Sequence, residues 1–415
     1  MTAAPPLDAA ERPWEPSTPV RAGWVSLLAV ANLAVFAAFF GPLQVLLAQQ
    51  AEDLSPGSKE ATLGLVTGIG AFVAMVANPV LGACSDRTRG RFGRRRPWVL
   101  TGALVSVGGL ALLSGSQLVA LMVLGWALVQ LGANGSLAAI MAAIPDRVPR
   151  TQRGVVGGTV ALAQTVGALL GVGIASVTGD WAIGYLAVAV FVVLASLPYV
   201  LGGRDEPVRH VPAFSWSGFL RGFWVSPRRH PDFAWAWVVR FLVQLGNALG
   251  LVYLYYFLQD GVGYADPEGG VFLLTVVYAV SSVLTTVTSG RLSDRLGRRK
   301  VFIVVSGVVM ALAATALALA PVWPMVVAGA VVLGAGFGVF TAVDYAVMTE
   351  VLPTAEDSGR DLGVINVAAS LPQVFSPVLA GALVSSGAGY PGLYLLAALA
   401  TLAGALAVGR IRGVR

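Results

Sequence analysis

The sequence predicts an all-α integral membrane protein with twelve transmembrane helices arranged as two six-helix bundles. Three observations carry this reading. There is too little charge for a water-facing surface, the apolar runs have spanning length, and the basic residues are confined to alternate connections.

Composition comes first. Of 415 residues, 56% are hydrophobic and 12% are charged. A soluble domain carries roughly 25% charged residues, so this surface suits lipid rather than water. The 50 glycines agree, because small residues let helix backbones approach closely where hydrocarbon surrounds them. A net charge of +6 would suit nucleic acid, but the basic residues sit in short connections between apolar runs, so no nucleic-acid partner is expected. Cys84 is the single cysteine. An internal disulfide and a thiolate metal cluster are therefore excluded, and a small packing role is expected.

A spanning helix needs roughly 20 apolar residues. Such runs lie near 24–49, 61–83, 97–115, 118–144, 154–177, 181–202, 233–258, 270–290, 300–320, 322–349, 362–385 and 390–410. The polar stretch 203–232 divides them six and six. The expected organisation is a tail at 1–22, a bundle at 23–202, a linker at 203–232, a second bundle at 233–410 and a tail at 411–415. The proline-rich first segment has no basic region followed by an apolar core, so it reads as a disordered cytoplasmic tail rather than a signal peptide.

Charge placement sets orientation. Apart from Lys59 and Arg240, all 27 basic residues fall on the tails and the connections that share their side. The positive-inside rule then places both termini in the cytoplasm of a multi-pass cell-membrane protein. The opposite connections are short and acidic: Glu52, Asp53, Glu60, Asp180, Asp260, Asp266 and Glu268. Trp24, Trp98, Trp181, Trp235 and Trp323 fall near span ends, where an interfacial belt belongs. The arginine-rich loops would also meet anionic lipid headgroups.

The halves repeat. After the second span the chain reads Gly82-Ala-Cys-Ser-Asp86-Arg87, and after four further residues and Phe92 the cluster Gly93-Arg94-Arg95-Arg96-Pro97. After the eighth it reads Gly290-Arg-Leu-Ser-Asp294-Arg295-Leu-Gly297-Arg298-Arg299-Lys300. Gly82 and Gly290 are 208 positions apart, as are Asp86 and Asp294, and the first copy carries four extra residues before its Gly-Arg cluster. A weaker echo links 144–158 with 352–364. Parallel six-helix repeats place a solute site between the halves near the bilayer midplane.

This duplicated loop is the signature by which the chain is identified as a member of the major facilitator superfamily. The longer first copy, SDRTRGRFGRRRPWVL, resembles the glycoside–pentoside–hexuronide cation symporters and, in FGRRRP, the proton-coupled sucrose transporters. The resemblance implies a secondary transporter working by alternating access, a proton-coupled symporter of a sugar or similar polar solute. It implies a monomer whose partners are a small molecule such as a mono- or disaccharide, protons and lipid. It also implies that Gly82, Asp86, Arg87, Gly93 and Arg94 form a latch toward helix 11 when the cavity opens outward. Gly290, Asp294, Arg295, Gly297 and Arg298 would do the same toward helix 5. Alternatively these arginines only fix topology.

Charges inside spans are few, and such charges usually face a cavity or a partner. Arg240 lies about two turns into helix 7; Asp344 lies the same distance from the tail-side end of helix 10, with Glu350 at that end. Both sit roughly 10 Å in from the tail side at 1.5 Å per residue. In the superfamily helices 1, 4, 7 and 10 line the cavity, so the two can meet as a buried pair coupled to protons, or as a static pair or gate. Candidate cavity residues follow from helical faces: Asn32 and Phe36, Gln130 and Asn134, Gln164, then Gln244, Asn247 and Tyr255 beside Arg240, and Asn366 and Gln373. Amides interleaved with rings suit a polyhydroxylated ligand.

Two departures narrow the class. Helices 1 and 2 carry no membrane-embedded acid, which argues against sodium coupling. Helix 5 reads GGTVALAQTVGALLGVG, without the proline of the drug–proton antiporters, which lowers drug or metabolite efflux as the alternative. No phosphate-binding loop is present, no nucleophile–base pair is visible, and His210 and His230 both lie in the linker, so no enzyme, cofactor or metal site is expected. A non-transporting receptor of the same fold is the remaining alternative. If the latch operates, Asp86→Ala cuts transport severalfold at unchanged membrane insertion, measured as uptake per inserted molecule; unchanged uptake rejects the latch.

Overall fold

The computed structural model describes residues 16, 18–90, 92–203, 226–351 and 358–412, with the side chains at 150, 294, 345, 349 and 358–366 excepted. Most of the first tail, most of the linker, part of the last tail, and the side chains of Asp294 and Asn366 therefore lie outside the described residues. Twelve long helices are described. They are α1 (Ala22–Leu54), α2 (Lys59–Ser85), α3 (Arg96–Gly115), α4 (Val119–Arg147), α5 (Arg150–Val177) and α6 (Trp181–Gly202). The second set is α7 (Pro231–Val252), α8 (Pro267–Leu296), α9 (Arg299–Leu319), α10 (Trp323–Glu350), α11 (Ser358–Leu383) and α12 (Gly389–Ala407).

Among the described residues eleven apolar helical stretches are long enough to cross a membrane, because the last, Val367–Arg410, takes α11 and α12 together. Its backbone kinks between them. Gly387 takes φ 84 and Gly389 φ 60, values that suit glycine and that break this stretch into α11 and α12. Helices 1 and 7 are disturbed at matching places near the acidic face. A π-turn occupies Pro42–Leu46 in α1. After α7 the chain departs from helix at Tyr253, makes one turn over Leu254–Tyr256, and closes in a π-turn over Phe257–Val262.

The contacts repeat with the sequence. In the first half α1 packs on α5 and α6, α2 on α4, and α3 on α4 and α6. In the second half α7 packs on α11 and α12, α8 on α10, and α9 on α10 and α12. The seam is built by α2 against α11 and α5 against α8, a pair of contacts that exchange under the same correspondence. The ends of the helices define a basic face, which holds the arginine-rich connections, and an acidic face opposite.

Helices in hydrocarbon associate by close contact, since lipid is as apolar as leucine. The α1–α5 contact shows how close. A Cβ placed on Gly171 would stand 2.6 Å from the Ala37 carbonyl oxygen, and one on Gly41 would meet Gly171 at the same distance. Interfacial side chains settle the ends: Tyr264 stacks on Trp323 at 3.8 Å, and Arg147 and Arg410 lie over Trp24 and Trp235. Gly171→Val is expected to cost about 1–3 kcal/mol by overpacking. It should lower the melting temperature of the detergent-solubilised protein, whereas Gly158→Ala, which meets nothing within 4 Å, should not.

Candidate functional site

On the acidic face the two halves are clasped. Lys59, at the start of α2, lies 2.9 Å from Glu52 of its own half and 2.9 Å from Asp260 of the other. Its ammonium also donates to Gln259 at 3.2 Å and stands 4.8 Å over the Tyr256 ring. Gln259 returns two bonds to the Glu52 carboxylate. Beside this knot the Tyr253 hydroxyl donates to the Glu60 carbonyl and the Tyr256 hydroxyl to the Ala48 carbonyl. Gln49 donates to Glu268 at 2.8 Å, and Ser176 donates to the Glu268 carbonyl. A cation shared between carboxylates of the two halves and set over a ring ties the halves together at this end, which is why the knot can close a mouth. The sequence held one hint of it: Lys59 is the lone basic residue among seven acids.

Directly beneath the clasp lies a cavity of about 440 Å³. Its outer end is closed by Thr275 of α8, whose hydroxyl donates to Gln44 of α1 at 2.8 Å. Phe36, Gln164, Asn247 and Phe337 line its wall, and Thr341 lies toward its inner end. Among the described residues that line it there is no Asp, Glu, Lys, Arg or His. Tyr278 donates to Asn247 at 2.7 Å, so one amide of the wall is already oriented.

Of the expected cavity residues, Phe36, Gln164 and Asn247 are on the lining. Asn32 is fully buried beside it and accepts from Gln164 at 3.3 Å. Gln130 and Asn134 bond each other within α4, with Asn78 of α2 at 3.5 Å, away from the cavity. Tyr255 is displaced because the helix breaks at Tyr253; its hydroxyl reaches Glu268 in the clasp instead. Gln244 and Gln373 lie off the lining, Gln373 being exposed. Gln44, Thr275 and Tyr278 were not anticipated; helix 8 showed no polar periodicity that separates a seam face from a packing face.

Arg240 and Asp344 do meet. Their charged groups are 3.2 Å apart and both residues are buried, among Val239, Val243, Phe340, Val343 and Val347. Asp344 stands one helical turn beyond Thr341, so the pair lies between the cavity and the basic face. Glu350, at the tail-side end of α10, pairs with Arg299.

On the basic face the loop motif builds a charge network inside the first half. Arg95 is 2% exposed and lies 2.7 Å from Asp86 and 2.8 Å from Asp146, with Ser85 accepting a third bond. Arg94 lies 2.8 Å from Asp86. Asp86 is thus held by its own loop. Arg87 donates to the Ala83 carbonyl. In the second half Arg299 takes Glu350, and Arg95/Arg299 and Asp146/Glu350 share one sequence separation. Gly93 and Gly297 both adopt positive φ, so their place in the repeat has a backbone cause. Gly82 and Gly290 have no such need: a methyl on either would meet Ala138 or Ala342 at ordinary contact distance.

Twelve membrane helices clasped around a cavity on their seam have the architecture of a membrane transporter. The Major Facilitator Superfamily model matches residues 22–287 and 267–414, and the chain belongs to that superfamily. It is a multi-pass membrane transporter, not an enzyme. Over 57 residues it is 46% identical to solute carrier family 45 member 3 of Mus musculus and of Homo sapiens, a stretch that is 13% of this chain and 10% of theirs. Over 128 residues it is 30% identical to an uncharacterized transporter of the same superfamily from Mycobacterium tuberculosis, 31% of this chain and 21% of that one. The matched stretches thus span a minor part of these curated relatives. Among solved structures it resembles the nucleoside transporter NupG, with a TM-score of 0.76 and 13% identity over 94% of this chain and 99% of that one. It also resembles a bacterial homolog of the human lysosomal transporter Spinster in an inward-facing, unoccupied conformation, with a TM-score of 0.69 and 15% identity over 94% and 96%. At these identities the likeness is one of fold.

Lys59→Met removes the shared cation of the clasp. The expected result is a roughly three- to tenfold shift toward an open acidic mouth, the ~1 kcal/mol scale of a partly exposed ion-pair network. Distances between spin labels on the outer ends of α2 and α11 measure it; an unchanged distribution shows that the clasp does not hold the mouth.

Proposed function

We propose that the protein moves an uncharged polar solute, a sugar or similar polyhydroxylated molecule, by alternating access coupled to protons. The observation that carries this reading is the cavity on the seam: free of charged groups among its described lining residues, set with Gln44, Gln164, Asn247 and aromatic rings, and closed on the acidic side. A cavity without fixed charge neither compensates an ionic solute nor offsets its dehydration, whereas amides bond hydroxyls and rings cover sugar faces. The basic face is cytoplasmic in this reading, by its arginines, and the state is inward-facing, as in the Spinster homolog's structure. The protein acts as a monomer in the cell membrane.

Coupling rests on Arg240 and Asp344. Solute entry or the swing of α7 against α10 parts them, and the carboxylate, relieved of its cation in an apolar setting, takes up a proton. In the opposite state, when the basic face closes, Asp86 latches toward α11 and its equivalent, Asp294, toward α5. The apolar share of the cavity wall keeps efflux of uncharged metabolites as the second reading.

Proteoliposomes with an imposed pH gradient and a panel of labelled mono- and disaccharides test the substrate, and direction-blind counterflow separates it from coupling. Asp344→Asn should abolish gradient-driven accumulation yet leave counterflow within about twofold. Normal accumulation in that variant rejects Asp344 as the coupling group; no counterflow with any sugar in the parent rejects the sugar.

A further inference from the structure

The cavity is lopsided. Its first-half wall comes from α1 and α5 alone, whereas in the second half it reaches past α7, α8 and α10 to the outer helices α9 and α12. The internal repeat shows what opened that side. The α3–α4 and α9–α10 contacts are in one register. A Cβ on Gly125 would meet Leu113, and one on Gly329 would meet Leu317; Gly132 faces Ser106 as Gly336 faces Met310. Each of these pairs has the sequence separation of Arg95 and Arg299.

In that register Trp126 corresponds to Ala330 and Leu110 to Ala314. Trp126 and Leu110 are fully buried in the first half. Ala330 and Ala314 border the cavity. Tyr278, the counterpart of Gly70 beneath the Trp126 indole, returns part of the lost bulk, but its hydroxyl is bonded to Asn247 on α7. The rest of that wall is mainly apolar, with Met310, Leu317, Val326 and Ala397, and the hydroxyls of Thr401 and Tyr394 on it are already bonded to backbone carbonyls. Close-packed interiors do not leave such space idle without losing contacts along its lining.

We infer that this side chamber receives an apolar substituent of the transported solute. The solute is then an uncharged polyol or glycoside carrying a compact aromatic or branched alkyl group, its hydroxyls at Gln44, Gln164 and Asn247. The solute assignment rests on the central-cavity reading under Proposed function; the chamber itself does not.

Two measurements separate them. In a Cys84→Ser background, Ala330→Cys and the fully buried control Val129→Cys are exposed to benzyl methanethiosulfonate, and the folded protein is weighed by mass spectrometry. The thiol introduced by Ala330→Cys is expected to react at least tenfold faster than the control, and adding Ala314→Leu, the first half's residue, should slow it severalfold. Equal rates in the two variants overturn the chamber. Inhibition of counterflow is then compared for methyl and phenyl β-glucoside. The parent should prefer the phenyl compound by tenfold or more, and Ala314→Leu should shrink that ratio toward one. A parent ratio near one, or a ratio Ala314→Leu does not change, overturns the substituent's place in the chamber. Fast labelling of Ala330→Cys with no response to either glucoside upholds the chamber and removes the sugar reading.

Discussion

A helix in hydrocarbon gains nothing by hiding leucine from lipid, so contact itself has to hold this protein together. That constraint explains the backbone-to-backbone approach at Gly41, Gly171 and Ala37, and the large aliphatic side chains left facing outward on α6, α8 and α9. Among the described residues the halves meet where α2 packs on α11, where α5 packs on α8, and where the π-turn of α1 meets α7 and α8. Toward the acidic face one buried apolar cluster, with Val45, Leu46 and Leu63 beside Tyr253, Tyr256 and Leu274, runs across the seam beneath the clasp. Motion of one half against the other there has to part apolar contacts as well as the polar ones.

Charge is distributed to match. On the basic face, Arg95 with Asp146 and Arg299 with Glu350 each stay within one half, so the halves can part there without stranding an ion. The acidic face does the reverse and sets its single lysine across the seam. Between the two faces the described lining of the cavity carries no ionised group, and the buried Arg240–Asp344 pair is displaced into the second half. The duplication supplied two similar bundles; differences at Ala330, Ala314 and Arg240 made the second one hollow and charged.

Legibility in the sequence followed locality. Spans, the sorting of basic and acidic connections to opposite ends and the repeated loop could be read because hydropathy, loop charges and motif spacing are written in contiguous residues. The Arg240–Asp344 meeting was readable as well, since a buried charge demands a partner and only one was on offer. Cavity faces were not. A helical wheel presumes an unbroken helix, and the departure at Tyr253 carried Tyr255 into the clasp. Asp146 gave no signal apart from its loop, and Gln44 none at all, because the π-turn at Pro42–Leu46 resets the angular position of the residues in and beyond it. Alanine at 330 looks like any helix former until it is set against Trp126.

The clasp has a bearing on assembly. Lys59 and Asp260 are 201 residues apart, and Tyr256 and Ala48 are 208 apart. None of these bonds can form until α7 and the turns that follow it have been made. The Arg95–Asp146 pair, by contrast, closes within 51 residues and is available as soon as α4 emerges. The first bundle can therefore be tied at its basic end early in synthesis, while Lys59 on the acidic face has Glu52 as its partner until α7 and Asp260 arrive. Order of synthesis thus places the charge network of the basic face before the clasp of the acidic face.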